Sequence, residues 1–185
     1  MKSVGSDYVL FPKAIVVDTR EQLPFSFAGI RADGGAWPPR DRGKTLIVEC
    51  VAGTLASGDY SLAGAETRVA VERKSVADLF NTLGQGRERF VRELFRLNSY
   101  QFAAVVVEAD WSTILHNPPP FSQLLPKTVM RSVIAWQMAF PRVHWNFLPD
   151  RRHAEIWTFR VLERFWREEC KRKRLEDDLN KSAAR

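Results

Sequence analysis

The chain has 185 residues, and 45% of them are hydrophobic, including six Trp and twelve Phe. This is the length of one domain with enough apolar side chains for a core, so we expect it to fold alone. The formal net charge of +6 favours a polyanionic partner, because Lys and Arg that neutralise phosphates release condensed counterions.

The cysteines and the apolar segments exclude several classes of protein. Cys50 and Cys170 form neither a disulfide framework nor a zinc site, which would need closely spaced Cys or His partners. Pro12 and Lys13 end the N-terminal apolar run too early for a signal peptide, and no later run is long enough to span a bilayer. We therefore expect a soluble, intracellular and cytoplasmic protein, associated with the nucleoid if it is bacterial.

The first part of the chain predicts short strands and one long loop. Residues 1–13 form a leader, and residues 14–18 form a buried strand with a polar end at Asp18-Thr19-Arg20-Glu21. Residues 25–44 are rich in Gly and Pro with interspersed Arg, which is typical of a loop. This loop is either a solvated connection or a mobile basic flap that touches nucleic acid with Trp37.

Three further strands are predicted over residues 45–51, 60–62 and 69–74, and their close succession indicates an antiparallel meander. Ser75 is placed to cap the following helix, with Asp78 in its first turn. Gly84-Gln85-Gly86 interrupts this helix, and a second amphipathic helix follows over 87–98.

The remaining chain alternates between strands and helices. The pattern predicts a central strand over 102–108, an extended loop at three consecutive prolines, a helix over 126–138 and a strand over 143–147. The last helix runs from 151 to about 176 and leaves 177–185 as a fraying tail.

The last helix carries two stripes of side chains. The apolar stripe is broader than packing on one domain requires, which suggests a second packing partner. Its members are Ala154, Trp157, Phe159, Val161, Leu162, Phe165 and Trp166. The basic stripe consists of His153, Arg160, Arg164, Arg167 and Lys171. This second stripe is either a solvated face or a track for the DNA backbone.

The candidate site lies where three predicted strands end. Strand alternation directs Glu72 and Lys74 to the same face. Asp59 opens a neighbouring strand, and Asp18 ends another. Carboxylates beside an ammonium group form a site for a hard divalent cation next to a phosphate. The three histidines do not cluster, so we expect no histidine-based metal or nucleophile site.

Three polar segments stand in a specific order: Val17-Asp18-Thr19-Arg20-Glu21, then Gly58-Asp59-Tyr60, then Val71-Glu72-Arg73-Lys74-Ser75 with Asp78 shortly after. Together they resemble the nuclease domain of XPF-type structure-specific endonucleases, whose signature is Gly-Asp, a variable gap, Glu-Arg-Lys, three residues and Asp. Each segment is common by itself, whereas the ordered set at strand ends is specific. The resemblance spans residues 14–148, and the last helix extends the predicted nuclease domain to 176.

The resemblance implies a fold, a reaction and partners. The fold would be an α/β restriction-endonuclease-like core, with a mixed β-sheet flanked by helices. The reaction would be Mg²⁺- or Mn²⁺-dependent hydrolysis of DNA phosphodiester bonds. The substrate would be branched or partly single-stranded DNA, such as flaps, forks and junctions in repair or recombination. Relatives commonly work as dimers, so a homodimer or heterodimer through the last helix is expected.

The site residues follow from the matched positions. The expected catalytic residues are Asp18, Asp59, Glu72 and Lys74, of which Asp18, Asp59 and Glu72 would bind the metal. Lys74 would orient or deprotonate the attacking water and stabilise the transition state. The supporting residues are Arg20, Glu21, Arg73 and Asp78, and Arg73 is expected to pair with Glu21 or Asp78. The expected DNA contacts come from the basic faces of the two helices, for which a solvated face is the alternative, and they are Arg87, Arg89, Arg160, Arg164 and Arg167.

A second interpretation is a non-catalytic DNA-binding scaffold subunit of a heterodimeric nuclease. An inactive copy would be expected to lose acidic or lysine positions. This chain keeps Asp18, Asp59, Glu72 and Lys74, which favours the enzyme.

Overall fold

The structure is a computed structural model that describes residues 7–34, 37–120 and 122–183. The strands are β1 (Tyr8–Leu10), β2 (Ile15–Asp18), β3 (Thr45–Ile47), β4 (Cys50–Gly53), β5 (Tyr60–Leu62), β6 (Val69–Lys74), β7 (Phe102–Val107) and β8 (Val143–Phe147). The helices are α1 (Val76–Leu83), α2 (Arg87–Leu97), α3 (Trp111–His116), α4 (Pro126–Ala139) and α5 (Arg151–Ala183).

The centre of the fold is a six-stranded sheet in the order β4-β2-β5-β6-β7-β8. Strand β5 is antiparallel to both of its neighbours, β2 and β6. Strand β4 is parallel to β2. The last three strands, β6, β7 and β8, are parallel to one another. Strands β6 and β7 are almost entirely buried because helices cover both faces. This mixed sheet between helices confirms the predicted α/β class.

Two apolar clusters lie on opposite faces of the sheet. Ala70 and Val105 pack with α1, α2 and α4 on one face. Val71 and Val106 pack with α5 and the segment that follows β2 on the other face. Successive residues of a strand point to opposite faces, so Glu72 lies on the α2 side and Arg73 on the α5 side.

The single strand predicted over 45–51 is wrong. Its first part, β3, pairs in parallel with β1 in a separate two-stranded sheet, and its second part, β4, joins the edge of the main sheet beside β2. The predicted leader therefore includes strand β1, while residues 1–6 lie outside the described residues. The antiparallel meander predicted for 45–51, 60–62 and 69–74 is present only as the pair β5–β6, because the other neighbour of β5 is β2 and not a strand from 45–51.

The long loop packs onto α5. Trp37 is 7% exposed, and its Nε1 donates a hydrogen bond to Glu163 Oε1 at 2.6 Å. Phe25, Phe27 and Ile30 are also buried. Neither a solvated connection nor an exposed flap describes Trp37, because aromatic side chains in this loop take part in the core. Residues 35 and 36 lie outside the described residues.

The last helix is longer than predicted, since α5 spans 33 residues and continues to Ala183. Its first half is buried at Ala154, Phe159 and Leu162, whereas Leu175 and Leu179 are 65% and 69% exposed. Among the described residues, no helix combines the length and the apolar character that crossing a membrane requires.

Candidate active site

The sheet brings the predicted catalytic residues to one end. The N–H of Asp18, at the end of β2, donates to the carbonyl of Asp59 at 2.8 Å, and the N–H of Asp59 donates to the carbonyl of Val71 at 2.9 Å. Because β5 runs antiparallel to both neighbours, its beginning lies beside their ends. Asp59 therefore lies between Asp18 and the strand that carries Glu72.

Gly58 allows the backbone to reach this position. Its φ of 81° lies in the left-handed region, which favours glycine. A Cβ at this position would also lie 2.9 Å from the Cβ of Ala70. The glycine of the predicted Gly-Asp pair is thus required both by its dihedral angle and by its close approach to β6.

Asp59 is a half-buried carboxyl group with a perturbed pKa. Its Oδ2 accepts a hydrogen bond from the N–H of Arg73 at 2.7 Å. Burial raises the pKa of Asp59 to about 6, and the nearby charges of Glu21 and Glu93 also raise it. The hydrogen bond from Arg73 and the charge of Lys74 act in the opposite direction.

Glu72 and Lys74 form a buried ion pair on one face of β6. Lys74 Nζ donates to Glu72 Oε1, and the ammonium lies 4.8 Å from the ring centroid of Phe90 on α2. Burial raises the pKa of Glu72 well above its ordinary value, and the carboxylates of Asp59 and Glu93 add to this effect. Burial lowers the pKa of Lys74, but the charge and hydrogen bond of Glu72, together with the charges of Asp59 and Glu93, outweigh it and raise the pKa overall.

Asp18 is held in a different way. Its Oδ1 accepts from the backbone N–H of Arg20 and from Arg20 Nε, at 2.8 and 2.7 Å. Its Oδ2 accepts from Arg20 Nη2 and from the N–H of Leu55, at 3.0 and 2.7 Å. Burial raises the pKa of Asp18, yet these hydrogen bonds outweigh it and lower the pKa overall. A carboxylate offers about four lone-pair sites, and all four are occupied here.

Arg73 lies on the opposite face of the sheet and supports the strand end from behind. Its Nε donates to Glu108 Oε1 at 2.8 Å, and its Nη1 lies 3.4 Å from Glu21 Oε2. Glu108 Oε1 also accepts from Arg151 Nη1 at 2.6 Å. Of the two partners predicted for Arg73, the structure therefore shows Glu21.

Asp78 serves the beginning of α1. Its side chain accepts from Ser75 Oγ at 2.6 Å, and its N–H donates back to Ser75 Oγ at 3.1 Å. Both hydrogen bonds of a capping box are present. Asp78 thus fixes the turn that follows Lys74.

Glu93 on α2 belongs to this site and was missed by the sequence analysis. Its Oε1 accepts from the N–H of Gly58 at 3.2 Å, and its charge affects Asp59, Glu72 and Lys74. In the sequence it stands between Arg92 and Leu94, in a helix whose other charged residues are mostly exposed. Only the tertiary packing of α2 against the Gly58 turn reveals its position.

A cleft of about 980 Å³ opens beside Lys74. It is lined by Lys74, Asp78, Phe80, Asn81, Thr82, Gly84, Gln85, Gly86, Arg89, Ser122, Gln123 and Leu124. The helix interruption at Gly84-Gln85-Gly86 therefore forms part of a wall next to the site.

The ERCC4 domain family model matches residues 17–161, which include every predicted catalytic residue. The chain belongs to the ERCC4 domain family. This finding confirms the resemblance to XPF-type nucleases and places the chain in a family of DNA nucleases. No curated protein gives a significant match to the sequence of this ERCC4 domain protein.

Solved structures of XPF from Aeropyrum pernix share the fold. The structure of that protein in complex with DNA has a TM-score of 0.55 and 17% sequence identity, and the match covers 85% of this chain and 66% of that chain. A second structure of the same protein has a TM-score of 0.55 and 20% identity, with 90% and 69% covered. The chain thus spans about two thirds of these relatives.

The predicted metal ligands are not gathered into one cage. Within the described ranges, no group of three or more Asp, Glu, His or Cys side chains could hold a metal ion by itself. The charges of Asp59 and Glu93 act on Glu72, so these three carboxyl groups lie near one another. The carboxylate of Asp18 instead accepts hydrogen bonds from Arg20 and Leu55.

Most of the arginines predicted to contact DNA have partners within the protein. Arg87 donates to Ser132 Oγ at 3.0 Å. The arginines of the α5 stripe pair with acidic residues: Arg160 with Asp33 and Glu163, Arg164 with Glu168, and Arg167 with Glu163. Arg89 is exposed and lines the cleft, and its side chain has no bond to another residue in the part of the chain that the structure describes.

Proposed function

We propose that this ERCC4 domain is a metal-dependent endonuclease that hydrolyses DNA phosphodiester bonds. The observation that carries the proposal is the buried pair of Glu72 and Lys74 beside Asp59, at a sheet end that opens into a cleft. Buried groups with perturbed pKa values next to a cleft are typical of catalytic sites.

The donor groups at this site fit a magnesium or manganese ion. Mg²⁺ is usually bound by one or two carboxylates and completes its shell with water and substrate phosphate oxygens. Asp59 and Glu72 would hold it, because burial and neighbouring carboxylates, Glu93 among them, raise the pKa of each group and a cation would relieve that repulsion. Asp18 would act through water, or directly after releasing Arg20. The ion would supply positive charge that stabilises the reacting phosphate.

Lys74 acts as a positively charged donor in this proposal. In the metal-free protein the charge and hydrogen bond of Glu72 help to raise the pKa of Lys74, so the amine is protonated there at neutral pH. The ammonium can donate to a phosphate oxygen and stabilise the charge that develops in the transition state. Orientation or deprotonation of the attacking water is the other role expected for Lys74.

The proposed substrate is branched or partly single-stranded DNA, as in repair or recombination. The support is family membership, together with the structure of the Aeropyrum pernix protein in complex with DNA. Arg89 is the best-placed of the predicted backbone contacts, because its guanidinium lines the cleft and is not engaged within the described chain. Arg160 and Arg167 remain candidates, although both also hold Glu163.

A protein partner on α5 is part of the same proposal. A largely apolar groove of about 320 Å³ lies between this helix and the beginning of β7. It is lined by Phe102, Trp157, Val161 and Phe165, together with Arg160, Arg164 and Glu168. Leu175 and Leu179 are exposed further along the same helix. The partner would be a second copy of the chain or a related subunit.

A cleavage assay tests the proposed activity. Purified protein is incubated with labelled single strand, duplex, flap, fork and four-way junction, in Mg²⁺, in Mn²⁺ and in chelator. We expect cutting of at least one branched DNA in either metal and none in chelator. Binding without cutting in every metal would instead support the scaffold subunit of a heterodimer.

A further inference from the structure

The cleft beside Lys74 has an unusual set of polar side chains. Three carboxamides, Asn81, Gln85 and Gln123, line it together with the guanidinium of Arg89. All four residues are exposed. Their side chains form no hydrogen bond or ion pair with one another or with other residues of the described chain. Four groups that can donate hydrogen bonds are therefore available to a ligand in the cleft.

The size of the cleft limits what can enter. Its volume of about 980 Å³ lies near the upper end of pockets that bind small molecules, roughly 300–1,000 Å³. A DNA duplex is far larger, since its major groove alone is about 12 Å wide. A few nucleotides of one strand would fit the cleft, whereas a duplex would remain outside it.

The charge of the cleft indicates that its ligand is the bases of DNA and not the phosphate backbone. A groove that follows the DNA backbone needs a series of cations, but this cleft has only Lys74 and Arg89, together with the carboxylate of Asp78, among its lining residues. Carboxamides are the side chains that form paired hydrogen bonds with base edges. Leu124, which is partly exposed, adds apolar surface, against which the face of a base can pack.

We propose that this cleft binds unpaired bases of the DNA strand next to the scissile phosphate, with Asn81, Gln85 and Gln123 contacting base edges and Arg89 contacting a phosphate. The inference rests on the proposed nuclease function and assigns a binding site within it. Because carboxamides discriminate among base edges, cleavage also depends on the bases beside the cut.

The test compares two forked DNAs that differ in one unpaired arm. One arm carries normal nucleotides beside the junction, and the other carries abasic nucleotides there, which keep the phosphates and lack the bases. Fluorescence anisotropy in chelator measures the binding of both forks. We expect the wild-type protein to bind the normal arm about tenfold more tightly.

Variants separate contacts to bases from contacts to phosphates. N81A/Q85A/Q123A should bind both forks with the affinity that the wild type has for the abasic fork. Gln137→Ala, an exposed carboxamide on α4 away from the cleft, should keep the full difference. Arg89→Ala should weaken binding to both forks equally and reduce the dependence of binding on salt.

Because the substituted side chains are exposed, the melting temperatures of these variants should stay at the wild-type value. If the triple variant melts lower, Gln123→Ala alone should still lose part of the difference between the forks.

Equal wild-type affinities for the two forks would overturn the proposal, and so would a triple variant that keeps the difference. Cleavage of the same forks in Mg²⁺ is measured separately. A protein that distinguishes the forks without cutting them would contradict the nuclease function and support the base site. A protein that cuts both forks equally well would support the nuclease function and contradict the base site.

Discussion

Single residues at the end of β6 explain why folding this site costs free energy. Glu72 is 4% exposed and shares its surroundings with Asp59 and Glu93. Placing carboxylates together away from water raises their pKa values. The folded protein holds them there because Lys74 and the N–H of Arg73 compensate part of the cost.

Asp59→Asn should stabilise the metal-free protein at neutral pH. The pKa of Asp59 is raised from 3.8 to about 6 on folding. The folded state therefore holds this proton more tightly, and the group's contribution to stability is lost as the pH rises from 3.8 through about 6. One pKa unit corresponds to about 1.4 kcal/mol, so we expect a gain on the order of 3 kcal/mol in the free energy of unfolding at pH 7.5 and about half of that gain at pH 5.

Urea unfolding in chelator at both pH values measures this gain. Asp177→Asn, at an exposed position of α5, is the matched control and should change neither value. An equal gain at pH 5 and pH 7.5, or no gain at all, would contradict the raised pKa of Asp59.

Glu93→Ala should loosen the turn that positions Asp59, because it removes the acceptor of the Gly58 N–H. We expect faster hydrogen exchange at the Gly58 amide and a higher Mg²⁺ concentration for half-maximal cleavage. Glu93→Gln keeps a carbonyl acceptor and should restore slow exchange at this amide. Glu88→Ala on the same helix is the control. Unchanged exchange in Glu93→Ala would remove Glu93 from this positioning role.

At the scale of elements, the sequence predicted the strand that carries Glu72 and Lys74 far better than the long loop. Alternation in β6 correctly placed Glu72 and Lys74 on one face, because the side chains of a strand follow a period of two whatever surrounds it. Glu93 was not predictable, since its contact with Gly58 depends on how α2 packs. The long loop was misjudged because Gly and Pro indicate turns and say nothing about where Phe25, Phe27 and Trp37 are buried.

The local sequence pattern also could not predict that residues 45–53 form two strands. Strand β3 pairs with β1 and strand β4 pairs with β2, and both pairings join residues far apart in sequence. Periodicity over a few residues cannot distinguish one strand from two short ones that join different sheets. The family signature in β2, β5 and β6, by contrast, needs only the order of short segments.

Trp37→Phe tests the role of the long loop. Loss of the hydrogen bond to Glu163 should lower the free energy of unfolding by about 1–2 kcal/mol, while DNA affinity should stay the same. Trp111→Phe is the control, because Trp111 stacks on Phe147 and its N–H has no partner among the described residues. A large loss of DNA affinity with unchanged stability would restore the interpretation of the loop as a flap that touches nucleic acid.

At the scale of the whole molecule, α5 extends beyond the core. Its 33 residues are about 50 Å long at 1.5 Å per residue. Isolated helices of about 12–15 residues are marginal in water, so the exposed second half of α5 would gain stability from a partner. The apolar groove at Trp157 and Phe165 lies on the same helix.

L175E/L179E should therefore abolish self-association. We expect the wild-type chain to be dimeric and this double variant to be monomeric, because paired glutamates would place like charges in the interface. Size-exclusion chromatography with light scattering measures the mass, and N180A is the control on the same segment. A wild-type monomer would contradict the homodimer and leave a heterologous subunit as the partner.

The central claim is that Glu72 and Lys74 beside Asp59 form a metal-dependent DNA-cleaving site. The most direct test is the single-turnover rate at which the protein cleaves a labelled fork in Mg²⁺. The wild type is compared with Glu72→Gln and with a control, Glu49→Gln. Glu49 is an exposed glutamate directly before the edge strand β4. We predict that Glu72→Gln lowers the rate by at least about 100-fold while binding of the fork is retained, and that Glu49→Gln cuts like the wild type. Cleavage by Glu72→Gln at the wild-type rate would contradict the account.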